Sequence, residues 1–166
     1  MNHPTVSICT PTYNRPNFIM SLIEIIINQD YPKHLMEWVI VDDGEDKVEE
    51  IIENSKAKLT GITVVYVKLQ TKARLGNKRN ITHKYSTGDI LVYMDDDDYY
   101  PPTRVSHAVE ALTQNPEVLC AGCSKIYVYF TDTEETYHFG PYHSYHATAN
   151  TFAIRRELLD QTKLKF

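Results

Sequence analysis

Ile90-Leu91-Val92-Tyr93-Met94-Asp95-Asp96-Asp97-Asp98-Tyr99-Tyr100-Pro101-Pro102 ends an apolar run in four consecutive carboxylates. Four like charges side by side repel one another unless a cation or a basic partner offsets them. Ile90 to Met94 has the composition of a buried strand, so the cluster is expected at that strand's carboxyl edge. On an extended chain, side chains i and i+2 face the same way. Asp95 and Asp97 are therefore expected on one side, with Asp96 opposite. Such a D-x-D arrangement suits Mg²⁺ or Mn²⁺, which keep positions for water and phosphate oxygens. The alternative, a solvated acidic turn, would need no buried strand behind it.

The pattern around this stretch alternates. Thr5 to Thr10 reads as a short strand stopped by Pro11. Asn17 is expected to cap a helix whose Phe18, Ile19, Leu22, Ile23, Ile26 and Ile27 recur at helical spacing. Glu37 to Val41 is a second strand, Lys47 to Asn54 a short charged helix, and Ile62 to Leu69 a third strand. Gly76 to Tyr85 reads as a basic helix, less periodic than the first. The Asp-bearing strand follows, then a helix over Pro102 to Gln114 with Val105, Ala108, Val109 and Leu112 on one face. Val118 to Phe130 and Thr136 to Phe139 read as strands about a turn, Thr148 to Ile154 as a last strand, and Arg156 to Gln161 as a last helical turn. This order predicts an α/β fold: a mostly parallel central sheet with helices on both faces. Ligands of such sheets bind at the strands' carboxyl ends.

The 166 residues amount to one domain, and 42% hydrophobic composition suffices for a core. No apolar stretch approaches the ~18 residues needed to span a bilayer. The N-terminus runs straight into a strand pattern, so no signal peptide and a cytoplasmic location are expected. The net charge of −5 argues against a nucleic-acid groove that neutralises many phosphates. Cys120 and Cys123 have C-x-x-C spacing, yet they lie in an apolar run without a second ligand pair, so buried, reduced thiols are expected.

Three further constellations carry chemistry. Val39-Ile40-Val41-Asp42-Asp43-Gly44 puts carboxylates at a strand tip, where they accept hydrogen bonds from a base or ribose; an ordinary Asp-rich turn is the alternative. Lys72-Ala73-Arg74-Leu75-Gly76-Asn77-Lys78-Arg79-Asn80 is the only dense basic stretch, and at a helix start it suits phosphate; a solvated basic face is the alternative. Tyr137 to His146 interleaves aromatic rings with His138, His143 and His146, any one of which is a candidate to reach the metal. No G-x-S-x-G, G-x-x-x-x-G-K-[ST] or H-E-x-x-H motif occurs, which disfavours α/β-hydrolases, P-loop enzymes and zinc peptidases.

Taken together, Val6 to Pro16, Val39 to Gly44, Gly76 to Asn80 and Gly88 to Asp98 resemble, in order and spacing, the family-2 glycosyltransferases of the GT-A fold. The resemblance runs from Thr5 to about Arg156. It implies a Rossmann-like α/β/α sandwich, a nucleotide-sugar donor that is most often a UDP-sugar, and Mn²⁺ or Mg²⁺. It places Pro11, Thr12, Tyr13 and Arg15 in the nucleotide pocket, Asp42 or Asp43 on the base, and Lys78, Arg79 and Asn80 beside the nucleotide and phosphates. Asp95 and Asp96 would face ribose and donor sugar. Asp97 would ligate the metal, assisted by Asp95. The implied reaction is inverting transfer to a hydroxyl of a glycan, lipid or protein acceptor.

The chain departs from that pattern at one point. The family's catalytic base follows a strand and Arg-Arg element that Phe152-Ala153-Ile154-Arg155-Arg156 resembles, and Glu157 and Asp160 lie too close to it. The base is therefore unassigned and expected beyond Phe166, in the acceptor segment of a longer protein with room for further domains. The alternative is a non-catalytic nucleotide-sugar-binding module. A metal-dependent phosphatase or nucleotidyltransferase is disfavoured. Val41 to Asp46 lacks D-x-D-x-[TV], and Pro11 to Pro16 has no glycine.

Overall fold

A computed structural model describes residues 3–143, 145–162 and 165–166. Ser144, within the aromatic stretch, lies outside the described residues. Four parallel strands form the heart of the sheet: β1 (Val6–Thr12), β2 (Met36–Asp42), β3 (Thr63–Lys68) and β4 (Ile90–Tyr93). Antiparallel β8 (Ala153–Arg155) continues it beside β4, and short β5 (Cys120–Ala121) forms the edge, giving the order β3-β2-β1-β4-β8-β5. β6 (Ile126–Phe130) and β7 (Glu135–Phe139) form a separate hairpin.

Every residue of β1, β2 and β4 is buried, as expected of parallel strands covered on both faces. Alternation sorts their side chains between two cores. Ile8, Trp38, Ile40 and Val92 join Ile19, Leu22, Ile23 and Ile26 of α1 (Pro16–Ile27). The same core takes Ile52 of α2 (Glu49–Asn54) and Val105, Ala108, Val109 and Leu112 of α4 (Arg104–Thr113). Cys9, Leu91, Tyr93 and Ile154 point the other way, against Leu158 and Leu159 of α5 (Arg156–Thr162). On that side α3 (Leu75–Tyr85) turns Lys78, Arg79 and Thr82 inward. This polar inward face explains the helix's weak periodicity: its buried side serves a site rather than a core.

Several expectations need correction. The first strand does not stop at Pro11, because Pro11 and Thr12 pair with Val41 and Asp42. Pairing with β4 has already ended at Cys9 and Tyr93, so the proline's missing N–H breaks no ladder there. α1 starts at Pro16 rather than after Asn17, since proline is favoured in the first helical turn. Val118 to Phe130 is not one strand. It breaks around Gly122 into edge strand β5 and hairpin strand β6, which leaves Cys120 and Cys123 as exposed free thiols rather than buried ones. Thr148 to Ile154 begins with a 3-10 turn, and only Ala153–Arg155 is strand. Among the described residues, no helix is long and apolar enough to cross a membrane.

The chain proceeds from β1 outward through β2 to β3, then returns to β4 on β1's other side. The crevice at the carboxyl ends of β1 and β4 is thus the topological switch point, where open α/β sheets bind ligands.

Candidate functional site

A cavity of about 280 Å³ opens at that switch point, lined by Pro11, Thr12, Tyr13, Arg15, Leu75, Lys78, Asp95, Asp96 and Asp97. The structure thus brings together most of the residues singled out from sequence. It arranges the aspartates differently from an extended strand. β4 ends at Tyr93, and the run turns, so the i, i+2 rule does not govern it.

Each of the four carboxylates is partnered, Asp96 and Asp97 sharing one arginine. Asp96 is buried; it accepts 2.6 Å from the Thr12 hydroxyl and 2.9 Å from Arg15 Nη1. Arg15 also pairs with Asp97, which stays 41% exposed at the cavity mouth. Asp95 accepts from Arg79 Nη2 at 3.1 and 3.3 Å. Burial pushes the Asp95 carboxyl up, Arg79 opposes that, and the charges of Asp98 and Asp97 add to the rise. Asp98 accepts 2.7 Å from the Asn150 amide and lies 3.3 Å from the Tyr100 hydroxyl, which itself accepts 2.8 Å from Asp95 N–H. Four adjacent carboxylates are therefore compatible because two guanidinium groups and three neutral donors divide them.

The second strand tip separates Asp42 from Asp43. Asp42 shapes its own turn: Oδ1 accepts from Gly44 N–H at 2.8 Å, and Oδ2 from Val48 N–H at 3.0 Å and the Tyr66 hydroxyl at 2.6 Å. Asp43 is tied to the cavity wall. Lys78 Nζ donates to its Oδ1 at 2.7 Å and to the Thr12 carbonyl at 3.0 Å, while Ala73 N–H donates to Oδ2 at 2.7 Å. Burial alone would raise the Asp43 carboxyl; Lys78 and the Ala73 N–H outweigh it and hold it below the usual carboxylate range. The Tyr13 ring carries Lys72 Nζ 4.0 Å from its centroid.

Asn80 is placed apart from this group. Its amide bonds the backbone of Phe166, on a neighbouring concavity lined by Leu69, Gln70, Thr71, Ala73, Asn77, Asn80 and Ile81. Among the described residues, no hydrogen bond joins His138, His143 or His146 to the aspartate run. His138 instead faces Tyr127 across the hairpin, and His143 and His146 lie 5.5 Å apart. Sequence reasoning missed Asn14, Tyr100 and Asn150 as builders of the site. Asn14 has a left-handed φ of 51°, and its Oδ1 accepts from Glu45 N–H at 2.7 Å and Asp46 N–H at 3.0 Å, clamping the β2 turn to the β1 loop. Its position in a strand-end motif was a signal; nothing local marks Asn150.

Known proteins share this fold. The family described as Glycosyl transferase family 2 matches residues 7–164. The poly(ribitol-phosphate) β-N-acetylglucosaminyltransferase TarS of Staphylococcus aureus strain Mu50 is 34% identical over 95 residues, 56% of this chain and 16% of its own length. The poly(ribitol-phosphate) β-glucosyltransferase of Bacillus spizizenii is 30% identical over 95 residues, 57% of this chain and 15% of its own. In structure, mannosyltransferase PcManGT from Pyrobaculum calidifontis, solved in complex with GDP-Man and Mn²⁺, superposes with TM-score 0.78 at 22% identity. That match covers 97% of this chain and 47% of PcManGT. S. aureus TarS 1–349 in complex with UDP gives 0.73 at 22% identity, covering 98% and 50%. The chain therefore spans only a fraction of the curated relatives' length and about half of those solved chains. With the family match running nearly end to end and the sheet carrying its aspartates at the switch point, the chain belongs to glycosyl transferase family 2 and has the GT-A fold.

Proposed function

We propose that this chain binds a nucleoside-diphosphate sugar, foremost a UDP-sugar, in the cavity between β1, β4 and α3, as the donor-binding part of an inverting glycosyltransferase. The observation that carries this reading is Arg15, which bridges Asp96 and Asp97 at the cavity mouth beside buried Lys78. It combines carboxylates for a metal and sugar hydroxyls with cations for phosphate.

Tyr13 and Lys72 offer the base a stacking platform. Of the two strand-tip carboxylates, we take Asp43 as the base contact, because it bonds Lys78 of the cavity lining while Asp42 is spent on its own turn. Lys78 serves the diphosphate, and Asp95 and Asp96 serve ribose and sugar hydroxyls.

Among the described residues, no three His, Cys, Asp or Glu side chains converge into a metal cage. This donor set still fits Mg²⁺ or Mn²⁺, which are held by one or two carboxylates plus substrate phosphates. Asp97 would hold the cation, with Asp95 assisting, and the cation would supply neutralisation of charge on the departing diphosphate. The acceptor hydroxyl, on a glycan, lipid or protein, attacks the anomeric carbon opposite the diphosphate. Asp95, Asp96 and Asp97 are each held by an arginine, so we place the proton acceptor outside them, in polypeptide following residue 166 of a longer protein. That same engagement favours, as a second reading, a module that binds donor without turning it over. Donor hydrolysis by this chain matched against a longer version discriminates the two; equal, substantial rates refute the module.

The test is thermal unfolding with UDP or GDP, with and without Mn²⁺. UDP with Mn²⁺ at about 100-fold over Kd is expected to add ~2.7 kcal/mol, raising Tm by roughly 5–10 °C. Asp97→Asn should remove the metal-dependent part. No shift with any nucleoside diphosphate and metal would sink the proposal, and a larger shift with GDP would overturn the UDP preference.

A further inference from the structure

We infer that Phe166 is a positioning residue: docked on α3, it holds Arg79 against Asp95 and thereby sets a carboxylate of the donor cavity. The consequence for donor binding rests on the proposed function; the latch itself does not.

Arg79 is almost wholly buried, yet among the described residues its only hydrogen-bonded partner carboxylate is Asp95 and its Nε has no partner. Its guanidinium is held by rings instead. The guanidinium carbon lies 5.7 Å from the Tyr93 centroid and 5.7 Å from the Phe166 centroid. The two rings meet edge to face at 5.7 Å and 83°. His83 closes the nest, 5.9 Å from the Phe166 ring, with Nε2 2.5 Å from the Tyr93 hydroxyl. A planar guanidinium between aromatic faces is oriented as well as attracted.

Phe166 is itself gripped by its backbone. The Asn80 amide donates to the Phe166 carbonyl at 3.0 Å, and Asn80 Oδ1 accepts the Phe166 N–H at 2.9 Å. Gly76 permits this approach: a Cβ there would stand 2.7 Å from the Phe166 carbonyl carbon. Two contacts with no core function, from Asn80 and Gly76, thus converge on the residue that covers Arg79. Without Phe166, Arg79 would face solvent on that side and hold Asp95 less firmly. An unpaired Asp95 would then repel the donor's diphosphate.

Two readouts test this. In ¹H–¹⁵N spectra, the Arg79 Nε–H is expected to be ring-current shifted and slow to exchange. Phe166→Ala should return it to the solvent envelope, and Phe166→Tyr should restore it. An unshifted signal, or one that Phe166→Ala leaves in place, overturns the latch whatever the nucleotide does. By calorimetry with UDP and Mn²⁺, Phe166→Ala should weaken binding about tenfold, within the usual coupling inside one contact network. In an Asp95→Asn background the same change should add less than about twofold, since the effect passes through Asp95. An equal tenfold loss in both backgrounds refutes the proposed route. Absence of binding by the parent chain refutes the donor site while leaving the spectroscopic test to judge the latch. Gly76→Ala, which favours the helix while evicting the Phe166 backbone, should reproduce the Phe166→Ala spectrum in a folded protein; a parent-like Arg79 signal there counts against the latch.

Discussion

Replacing Lys78 with methionine would remove the cation of the most buried ion pair at the site. Lys78 and Asp43 are 7% and 5% exposed, 2.7 Å apart, and Lys78 also satisfies the Thr12 carbonyl. Breaking a buried pair from one side costs about 3–5 kcal/mol, because the remaining charge is stranded. Here the Ala73 N–H still serves Asp43, so the low end, about 3 kcal/mol, is expected. That is a large share of the roughly 5–15 kcal/mol that holds a domain together. Trp38, the only tryptophan, is fully buried in β2 and donates to Thr10 Oγ1 at 3.0 Å, so its fluorescence reports unfolding beside the site. With an m-value of roughly 2 kcal/mol/M, the urea midpoint should fall by about 1–2 M at pH 7. Neutralising the stranded partner, in Lys78→Met with Asp43→Asn, should recover part of the loss. The pH dependence has a defined sign. In the parent, the depressed Asp43 carboxyl contributes stability above its unfolded pKa, lost as pH falls through the lower folded value. In Lys78→Met burial prevails and raises that carboxyl, so the deficit should shrink as pH falls from 7 towards 4. A loss under about 1 kcal/mol at pH 7, or a deficit that grows on acidification, would refute the reasoning.

Two further outcomes are expected. Gly44→Ala would place a Cβ 2.6 Å from Asn14 N and Oδ1, so it should cost about 1–3 kcal/mol by prising apart the β1 and β2 loops, and weaken UDP binding in parallel; urea unfolding and calorimetry check both. His83 is held neutral by burial, then by the charges of Arg156 and Arg79, with its pKa lowered to about 4. Its contribution is complete above about pH 6.5 and is lost as pH falls towards about 4, on the order of 1 kcal/mol after allowing for partial exposure. His83→Gln should flatten that part of the stability profile, and an unchanged slope would contradict it.

The sheet was legible because parallel strands buried on both faces are predominantly apolar. Val6 to Cys9, Trp38 to Val41 and Ile90 to Tyr93 announce themselves, and their tips announce the ligand edge. The helix-period signal of α1 and α4 was equally plain, since each packs one apolar stripe on a core. The hairpin turn was legible too, but not the length of its first strand: residues 118–130 show the composition of a strand but not which partner they find, and the break at Gly122 sends the second half away from the sheet.

By itself the sequence determined the alternation of elements, the clustering of charge at strand tips and the family motifs, all properties of neighbours along the chain. Only the tertiary structure decided which aspartate meets which partner. Arg15 takes Asp96 and Asp97, Arg79 takes Asp95, Lys78 takes Asp43, and Asn150 takes Asp98. These choices depend on where a turn carries each carboxylate in space. No local period encodes the meeting of residues 52 or 81 positions apart. For the same reason Asn80, which reads as a phosphate residue beside Arg79, turns one step around α3 and grips Phe166 instead.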